Sequence, residues 1–129
     1  MIVVDTTVWV SFFRGLRSPE VQRLNGYLGT EEILVGDLIL CELLQGCDSE
    51  RDVDQVKAAL GKLDIVAMVG QLIAEKAAAN YRTLRRRGVT IRKTIDLLIG
   101  TYCIENQCRL LHADRDYWPM SEHLGLKAA

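Results

Sequence analysis

The chain begins Met1-Ile2-Val3-Val4-Asp5-Thr6-Thr7, a short apolar run that leads directly into an aspartate and two threonines. A run of this kind, without polar alternation, predicts a strand buried on both faces, as in a parallel sheet. In an open α/β sheet, ligands bind beyond the carboxyl ends of the strands, so Asp5 is a candidate site residue. The more ordinary alternative is that Asp5 or Thr6 only caps a following helix.

The rest of the chain alternates between two kinds of segment. Short apolar runs predict strands at residues 33–35, 63–67 and 109–112, and amphipathic segments between them predict helices. Strands alternating with helices imply βαβ crossovers and a mainly parallel sheet between helical layers. The sequence therefore predicts an α/β fold, a three-layer α/β/α sandwich, as a single domain over residues 1–129.

Polar residues before the predicted helices mark where those helices begin. Ser18, which precedes a proline, and Ser49, which opens a capping-box pattern, are expected N-caps. Asp37 and Thr94 are expected to cap two further helices. From Pro119 onwards the sequence is weakly patterned, and no element is predicted there.

Composition limits the classes of function. The 129 residues are 49% hydrophobic and 26% charged, with a formal net charge of −1. No overall positive field points to nucleic acid, so a polyanion site would need a local basic cluster or a metal ion. The apolar bias favours a buried partner surface, such as a homodimer face.

The cysteines and the hydropathy pattern bear on location. The spacing of Cys41, Cys47, Cys103 and Cys108 does not match structural zinc motifs. The chain opens on a strand rather than a secretory leader, and no apolar run approaches the length of a membrane span. We expect a reduced, cytoplasmic protein that does not enter a membrane.

Four further acids lie in settings like that of Asp5. Glu42 and Asp96 are flanked by leucine and isoleucine in predicted helices, and Asp114 and Asp116 follow the last predicted strand. Buried carboxylates that converge repel one another, and a divalent cation such as Mg²⁺, which prefers oxygen ligands, reverses that cost. Taken singly, Glu42 could lie on a half-exposed helix face and Asp96 could complement a helix dipole.

The predicted topology allows these acids to meet. Asp5 and Asp114 follow strand carboxyl ends, and Asp96 lies at a helix N-terminus, which a parallel arrangement places at the same edge of the sheet. Glu42 lies one turn into its helix and can point back over that edge. A metal site explains the set better than four separate structural roles.

These motifs carry a resemblance to a known family. Asp5-Thr6-Thr7-Val8-Trp9, Glu42-Leu43-Leu44-Gln45-Gly46, Asp96 and Asp114-Arg115-Asp116-Tyr117 look like the PIN domain over almost the whole chain. Within it, the chain is similar to VapC-type toxins of type II toxin–antitoxin modules. The resemblance implies an endoribonuclease dependent on Mg²⁺ or Mn²⁺, a homodimer, and inhibition by a cognate VapB-type antitoxin.

The resemblance also implies roles for individual residues. The family's four catalytic acids fall on Asp5, Glu42, Asp96 and Asp114, of which the three aspartates would be metal ligands. Asp116 and Thr7 match supporting positions. Tyr117 replaces a phenylalanine that is common in the family and is expected to keep its aromatic packing.

Basic residues cluster between residues 76 and 95, where no acid occurs. They could form a solvated helix end whose cations complement the helix dipole. They could also bind an RNA backbone through counterion release. The candidate RNA-binding residues are Arg85, Arg86, Arg87, Arg92 and Lys93.

Other classes of protein fit less well. A haloacid dehalogenase-type phosphatase would need an acid at Thr7, and a phosphorelay receiver would need paired acids near the N-terminus. The main alternative is a non-catalytic PIN-like module that binds RNA or protein. A module without catalysis would have no reason to retain all four acids.

Overall fold

The computed structural model describes residues 1–129 and contains a five-stranded sheet and seven α-helices. The strands are β1 (Ile2–Val4), β2 (Ile33–Gly36), β3 (Asp64–Val66), β4 (Arg109–Leu111) and β5 (Lys127–Ala128). The helices are α1 (Thr6–Phe13), α2 (Pro19–Tyr27), α3 (Asp37–Gln45), α4 (Glu50–Leu60), α5 (Gly70–Arg86), α6 (Thr94–Glu105) and α7 (Trp118–Leu124). A 3₁₀ helix, Arg115–Tyr117, joins β4 to α7. No helix combines the length and the apolar character needed to cross a membrane.

The sheet has the strand order β3-β2-β1-β4-β5, and every neighbouring pair is parallel. In the register of the central pair, Val4 of β1 lies opposite Leu111 of β4. The predicted α/β fold with a parallel sheet is therefore confirmed. All three residues of β1 are buried, as its uninterrupted apolar sequence requires for a central strand.

The helices cover both faces of the sheet. Crossovers between parallel strands are almost always right-handed, so the side on which a helix lies depends on the direction of the step. The chain steps from β1 through β2 to β3, and then returns across the sheet to β4 and β5. Accordingly α1 contacts α2 and α3, and α3 contacts α4, whereas α5 contacts α6 and α7. This is the three-layer arrangement that the sequence predicted.

The reversal of direction between β1 and β4 positions the site. Helices leave these neighbouring strands toward opposite faces, which opens a crevice beyond their carboxyl ends. Asp5 follows β1 and Asp114 follows β4 at this point. The two acids that were predicted from strand ends therefore lie at the topological switch point of the sheet.

The core fills the space between the sheet and both helical layers. A single cluster of 27 buried apolar residues includes the whole of β1, Trp9 of α1 and Ile99 of α6. The environment of Gly100 on α6 shows how closely the helices of one layer pack, because a Cβ atom there would overlap the side chain of Met120 on α7. Packing of this kind holds the crevice between rigid elements.

The helix boundaries were predicted in part. Ser18 and Ser49 are N-caps, accepting from the backbone N–H of Val21 and Asp52 at 3.1 Å each. The expectation that Asp37 caps α3 was wrong, because Asp37 is the first helical residue and Gly36 precedes it. The Asp37 carboxylate instead accepts from the Met68 backbone N–H at 3.1 Å, which ties α3 to the segment after β3.

Two other expectations about the C-terminal half also need correction. Thr94 was expected to cap α6, but it is the first helical residue, and Lys93 precedes it without a side-chain capping bond. The region after Pro119, for which no element was predicted, continues α7 and then forms β5. Both residues of β5 are exposed, so the strand leaves no hydrophobic pattern in the sequence.

Candidate metal centre

Asp5 connects β1 to α1 and has two roles. Its backbone N–H donates to the Leu111 carbonyl at 2.9 Å, which extends the pairing with β4. Its Oδ2 accepts from the Thr7 backbone N–H at 3.2 Å and from the Thr7 hydroxyl at 2.6 Å. Asp5 is thus the N-cap of α1, and it is also 4% exposed and lines an acidic pocket. Asp5 therefore caps a helix, as the more ordinary alternative expected, and it also lies at the candidate site.

Thr7 links the two strand ends. Besides donating to Asp5, its hydroxyl oxygen accepts from the Ala113 backbone N–H at 3.3 Å. Thr7 therefore joins the segment after β1 to the segment after β4. The supporting role that the resemblance implied for Thr7 stays a prediction.

Asp114 and Asp116 lie on the short segment after β4. Asp114 is the N-cap of the 3₁₀ helix, and its Oδ1 accepts from the Asp116 backbone N–H at 2.9 Å. The Asp114 backbone N–H donates to His112 Nδ1 at 3.2 Å, and burial lowers the pKa of His112, which favours the neutral acceptor. This turn projects both carboxylates from one rigid segment.

Asp96 is the most buried acid contributed by a helix. It lies in the first turn of α6 and is 6% exposed. Burial raises the pKa of Asp96 to about 6, and the nearby carboxylates of Asp5 and Asp114 act in the same direction. Its Oδ2 is buried and has no hydrogen-bond partner. A buried carboxylate oxygen without a donor is costly, and a cation would satisfy it.

Glu42 is oriented by a residue that the sequence did not identify as part of the site. The Thr6 hydroxyl, on α1, donates to Glu42 Oε1, on α3, at 2.7 Å. Glu42 is half-buried and lines the same pocket as Asp5 and Asp96. The half-exposed helix face that was the alternative for Glu42 agrees with its burial, and this face borders the acidic pocket.

Tyr117 lies beneath the acids and is fully buried. Its hydroxyl is 2.9 Å from Asp5 Oδ1 and 3.4 Å from Asp96 Oδ1. Burial and the charges of these two carboxylates raise the pKa of Tyr117 strongly, so its phenol remains a protonated donor. The aromatic packing expected of this residue is present, since its ring lies 4.8 Å from that of His112, and the hydroxyl adds a polar contact.

The side chains come together in one open pocket of about 360 Å³. Four acids, two threonines, a lysine and one apolar side chain line it. These residues are Asp5, Thr6, Thr7, Val10, Glu42, Lys93, Asp96 and Asp114. All four acids predicted as catalytic therefore lie around a single cavity at the sheet edge.

The donor set of the pocket fits a hard divalent cation. Carboxylate oxygens of Asp96, Asp114 and Asp116 lie within 4.8 Å of one another, a group that could hold a metal ion. Mg²⁺ and Mn²⁺ favour such oxygen ligands, whereas zinc sites typically use histidine or cysteine. Asp5 lies beside this group and is connected to Asp96 through the Tyr117 hydroxyl. The geometry therefore places Asp116 among the candidate metal ligands, whereas the resemblance implied only a supporting position.

The candidate RNA-binding residues occupy different places. Lys93 lines the acidic pocket itself, and Arg92 is exposed next to it in the chain. Arg85 and Arg86 line a separate shallow depression at the end of α5. Arg87 lies 3.3 Å from His123 of α7, measured from Nη1 to Nδ1. Only Lys93 is in the pocket with the acids.

Sequence reasoning missed the parts played by Thr6 and Tyr117. The sequence indicates Thr6 only as a possible helix cap, because its contact with Glu42 spans 36 positions in the chain. It indicates Tyr117 only as an aromatic replacement for phenylalanine. The added hydroxyl was the available signal, because a buried tyrosine hydroxyl usually finds a hydrogen-bond partner.

The fold and the pocket together define an α/β domain with an oxygen-only acidic centre suited to a divalent cation. The chain belongs to the PIN domain family, whose sequence model matches residues 2–120. The resemblance inferred from the motifs is thereby confirmed. Because the matched segment runs from β1 into α7, it includes every acid of the pocket.

The chain is also similar to individual proteins, in sequence and in structure. Ribonuclease VapC11 of Mycobacterium tuberculosis is 28% identical over 131 residues, covering 100% of this chain and 98% of the relative. The structure of VapBC2 from Rickettsia felis, bound to a DNA fragment from its promoter, matches with a TM-score of 0.79 at 16% identity, covering 100% and 98% of the two chains. VapBC-1 from nontypeable Haemophilus influenzae matches with a TM-score of 0.77 at 16% identity, covering 100% and 97%. At this identity the structural matches establish the fold.

Proposed function

We propose that this protein is a metal-dependent endoribonuclease and the toxin component of a type II toxin–antitoxin module. The full-length similarity to a protein named ribonuclease VapC11 supports the activity. The cofactor we propose is Mg²⁺, with Mn²⁺ as a substitute, because both prefer the carboxylate oxygens that the pocket offers. The reaction is hydrolysis of an RNA phosphodiester bond by water.

One observation carries this proposal most directly. Asp96 Oδ2 is buried without a partner in a pocket that three other carboxylates line. A protein that only used these acids for structure would satisfy that oxygen with a donor from its own chain. A cation that binds there would coordinate the unsatisfied oxygen and offset the repulsion among the acids.

The acids of the pocket would have two roles, binding the metal and accepting a proton. Asp96, Asp114 and Asp5, joined by Asp116, would hold the metal. When bound, a divalent cation lowers the pKa of water and stabilises charge on the scissile phosphate. Glu42 is held through Oε1 by Thr6, which leaves Oε2 to accept the proton of the attacking water.

The basic residues would hold the substrate. Lys93 lies in the pocket and is placed to pair with the phosphate at the point of cleavage. Arg85, Arg86 and Arg87, exposed at the end of α5, together with Arg92, would contact phosphates farther along the RNA. Such contacts supply affinity without reading sequence.

The proposed partners follow from the same relatives. We propose a VapB-type antitoxin that covers the active pocket, since the similar structures are complexes named VapBC. We also propose a homodimer, which an apolar groove of about 570 Å³ between α5 and α6 supports. A cytoplasmic location, and a single domain over residues 1–129, remain predictions.

A cleavage assay tests the activity. Purified, antitoxin-free protein is incubated with total tRNA and ribosomal RNA in Mg²⁺, in Mn²⁺ or in chelator. We expect discrete metal-dependent fragments from the wild type and none from Asp96→Asn, which retains the shape of the side chain but loses its charge. Asp54→Asn, a matched change on the exposed side of α4, serves as the control and should cleave normally.

The competing function is a PIN-like module that binds RNA or protein without cleaving it. Under that alternative, wild type and Asp96→Asn would give the same RNA pattern in every metal condition. Cleavage of equal strength in both proteins would indicate a contaminating nuclease. Only metal-dependent cleavage lost in Asp96→Asn and kept in Asp54→Asn supports the enzyme.

A further inference from the structure

The Tyr117 hydroxyl lies between two carboxylates that come from distant parts of the chain. It is 2.9 Å from Oδ1 of Asp5, which follows β1, and 3.4 Å from Oδ1 of Asp96, on α6. It is the one side-chain group within hydrogen-bond distance of both acids. At this position, where the family commonly has a phenylalanine, the present chain therefore has an additional donor within its acidic centre.

The other oxygen of each carboxylate has a different environment. Asp5 Oδ2 accepts from the backbone and hydroxyl of Thr7, whereas Asp96 Oδ2 has no partner and is buried. The single hydroxyl proton of Tyr117 lies between the two Oδ1 atoms, closer to that of Asp5, so one group orients both carboxylates. In Asp96, this arrangement leaves Oδ2 as the oxygen without a hydrogen-bond donor.

The tyrosine itself is held rigidly. Its ring is 0% exposed and packs against His112, and its backbone N–H donates to the Asp114 carbonyl at 3.3 Å. Tyr117 also follows Asp116 directly in the 3₁₀ helix. One short segment therefore supplies two acids of the centre and the donor that orients two more.

We propose that Tyr117 is a positioning residue for the metal ligands, and that its hydroxyl presets Asp5 and Asp96 for the cation. This inference rests on the proposed function, in which the pocket binds a divalent metal. A donor between two like charges stabilises the metal-free arrangement and prevents the carboxylates from turning apart. Partners that orient metal ligands in this way typically change metal affinity about 10- to 100-fold when removed.

The test is Mn²⁺ binding by Tyr117→Phe, followed through the electron paramagnetic resonance signal of free Mn²⁺. Phenylalanine keeps the buried ring and removes only the hydroxyl. We expect the dissociation constant to rise about 10-fold, with cleavage at saturating Mn²⁺ reduced much less than cleavage at low Mn²⁺. Tyr102→Phe, on α6 but outside the pocket, is the matched control and should bind as the wild type does.

A second measurement reads Tyr117 in the wild type, so it does not depend on the folding of Tyr117→Phe. The four tyrosines are labelled with ¹³C at Cζ and assigned by substituting Tyr27, Tyr81 and Tyr102 in turn. Added Mg²⁺ should shift the Tyr117 resonance and leave the other three in place. A metal-bound wild type in which Tyr117 does not respond would contradict the inference.

The two proposals fail in different ways. Equal Mn²⁺ affinity in wild type and Tyr117→Phe, with binding lost in Asp96→Asn, would overturn the role of Tyr117 and leave the metal centre standing. A wild type that binds no Mn²⁺ would overturn the metal centre and the role of Tyr117 together.

Discussion

The Thr6 hydroxyl donates a hydrogen bond to Glu42 Oε1 across an oxygen–oxygen distance of 2.7 Å, joining α1 to α3 at the mouth of the acidic pocket. Thr6 follows Asp5 directly in the chain. The same turn therefore supplies the proposed ligand Asp5 and the hydroxyl that orients the proposed proton acceptor, Glu42. Glu42, on a different element, is thereby held beside the proposed metal ligands.

Thr6→Val should therefore slow cleavage without removing the metal. Valine has the same shape, and it takes away the hydrogen bond that orients Glu42. A hydrogen bond to a charged group contributes roughly 1.5–3 kcal/mol, and about 1.4 kcal/mol corresponds to a tenfold change in rate. We expect kcat to fall about 10-fold or more in a single-turnover assay at saturating Mg²⁺.

The control for this variant is Thr30→Val. The Thr30 hydroxyl donates to the backbone carbonyls of Gly26 and Tyr27 at the end of α2, outside the pocket, so the same chemical change should leave kcat near that of the wild type. Equal rates for Thr6→Val and Thr30→Val would show that Glu42 needs no orientation by Thr6.

The acidity of Asp96 predicts a pH-dependent stability in the metal-free protein. Because burial raises the folded-state pKa of Asp96 from 3.8 to about 6, the folded protein holds a proton there more tightly than the unfolded chain. Relative to Asp96→Asn, the free energy of unfolding should therefore be highest below about pH 4 and fall as the pH rises to about 6. The total loss is on the order of 3 kcal/mol, and it should level off above that window.

Urea unfolding of both proteins in chelator, at intervals between about pH 3.5 and 8, measures this difference. Asp54→Asn provides the reference for an exposed acid and should track the wild type. A constant difference between wild type and Asp96→Asn across the window would mean that Asp96 titrates normally and is not buried among like charges.

The fold could be predicted from the sequence because its determinants are local. The apolar residues before Asp5 and before Asp114 indicate buried strands, and strand carboxyl ends in a parallel sheet meet at one edge. The convergence of those two acids needed no knowledge of side-chain contacts. For Asp96 and Glu42, apolar neighbours on both sides indicated burial.

Two kinds of feature could not be predicted from the sequence. One is a contact between residues far apart in the chain, and the other is an element whose residues show no hydrophobic periodicity. The pairing of Tyr117 with Asp5 spans 112 positions, and the choice of partner is decided only when the layers pack. The strand β5 has two exposed residues, and its place in the sheet is recorded by backbone bonds such as Ala129 N–H to Leu110 O at 2.9 Å. A backbone hydrogen bond of this kind does not constrain side-chain identity.

Metal should stabilise the protein, and the effect should depend on pH. A ligand that binds only the folded state raises stability by about 2.7 kcal/mol at one hundred times its dissociation constant. Since a cation must displace the proton on Asp96, whose pKa is about 6, the melting temperature should rise more on adding Mg²⁺ at about pH 7.5 than at about pH 5.

Differential scanning fluorimetry of wild type and Asp96→Asn, with Mg²⁺ or chelator at both pH values, tests this prediction. The variant should show a small shift at either pH. If wild type and variant shift equally, the ion binds elsewhere, and the assignment of Asp96 as a ligand is wrong.

The arginines at the end of α5 should contribute to RNA affinity through charge. Arg85, Arg86 and Arg87 are exposed, and replacing all three with alanine should weaken binding of single-stranded RNA. Each phosphate contact contributes about 0.7 to the slope of log K against log salt, so the slope should become shallower by about 2. The measurement is fluorescence anisotropy over a salt series, in an Asp96→Asn background that prevents cleavage.

Replacing Arg17, Arg51 and Lys57, three exposed cations elsewhere in the chain, removes the same net charge and should leave the slope nearly unchanged. If both triple variants give the same slope, the effect of the cluster is general charge, and α5 ends in a solvated face that does not contact RNA.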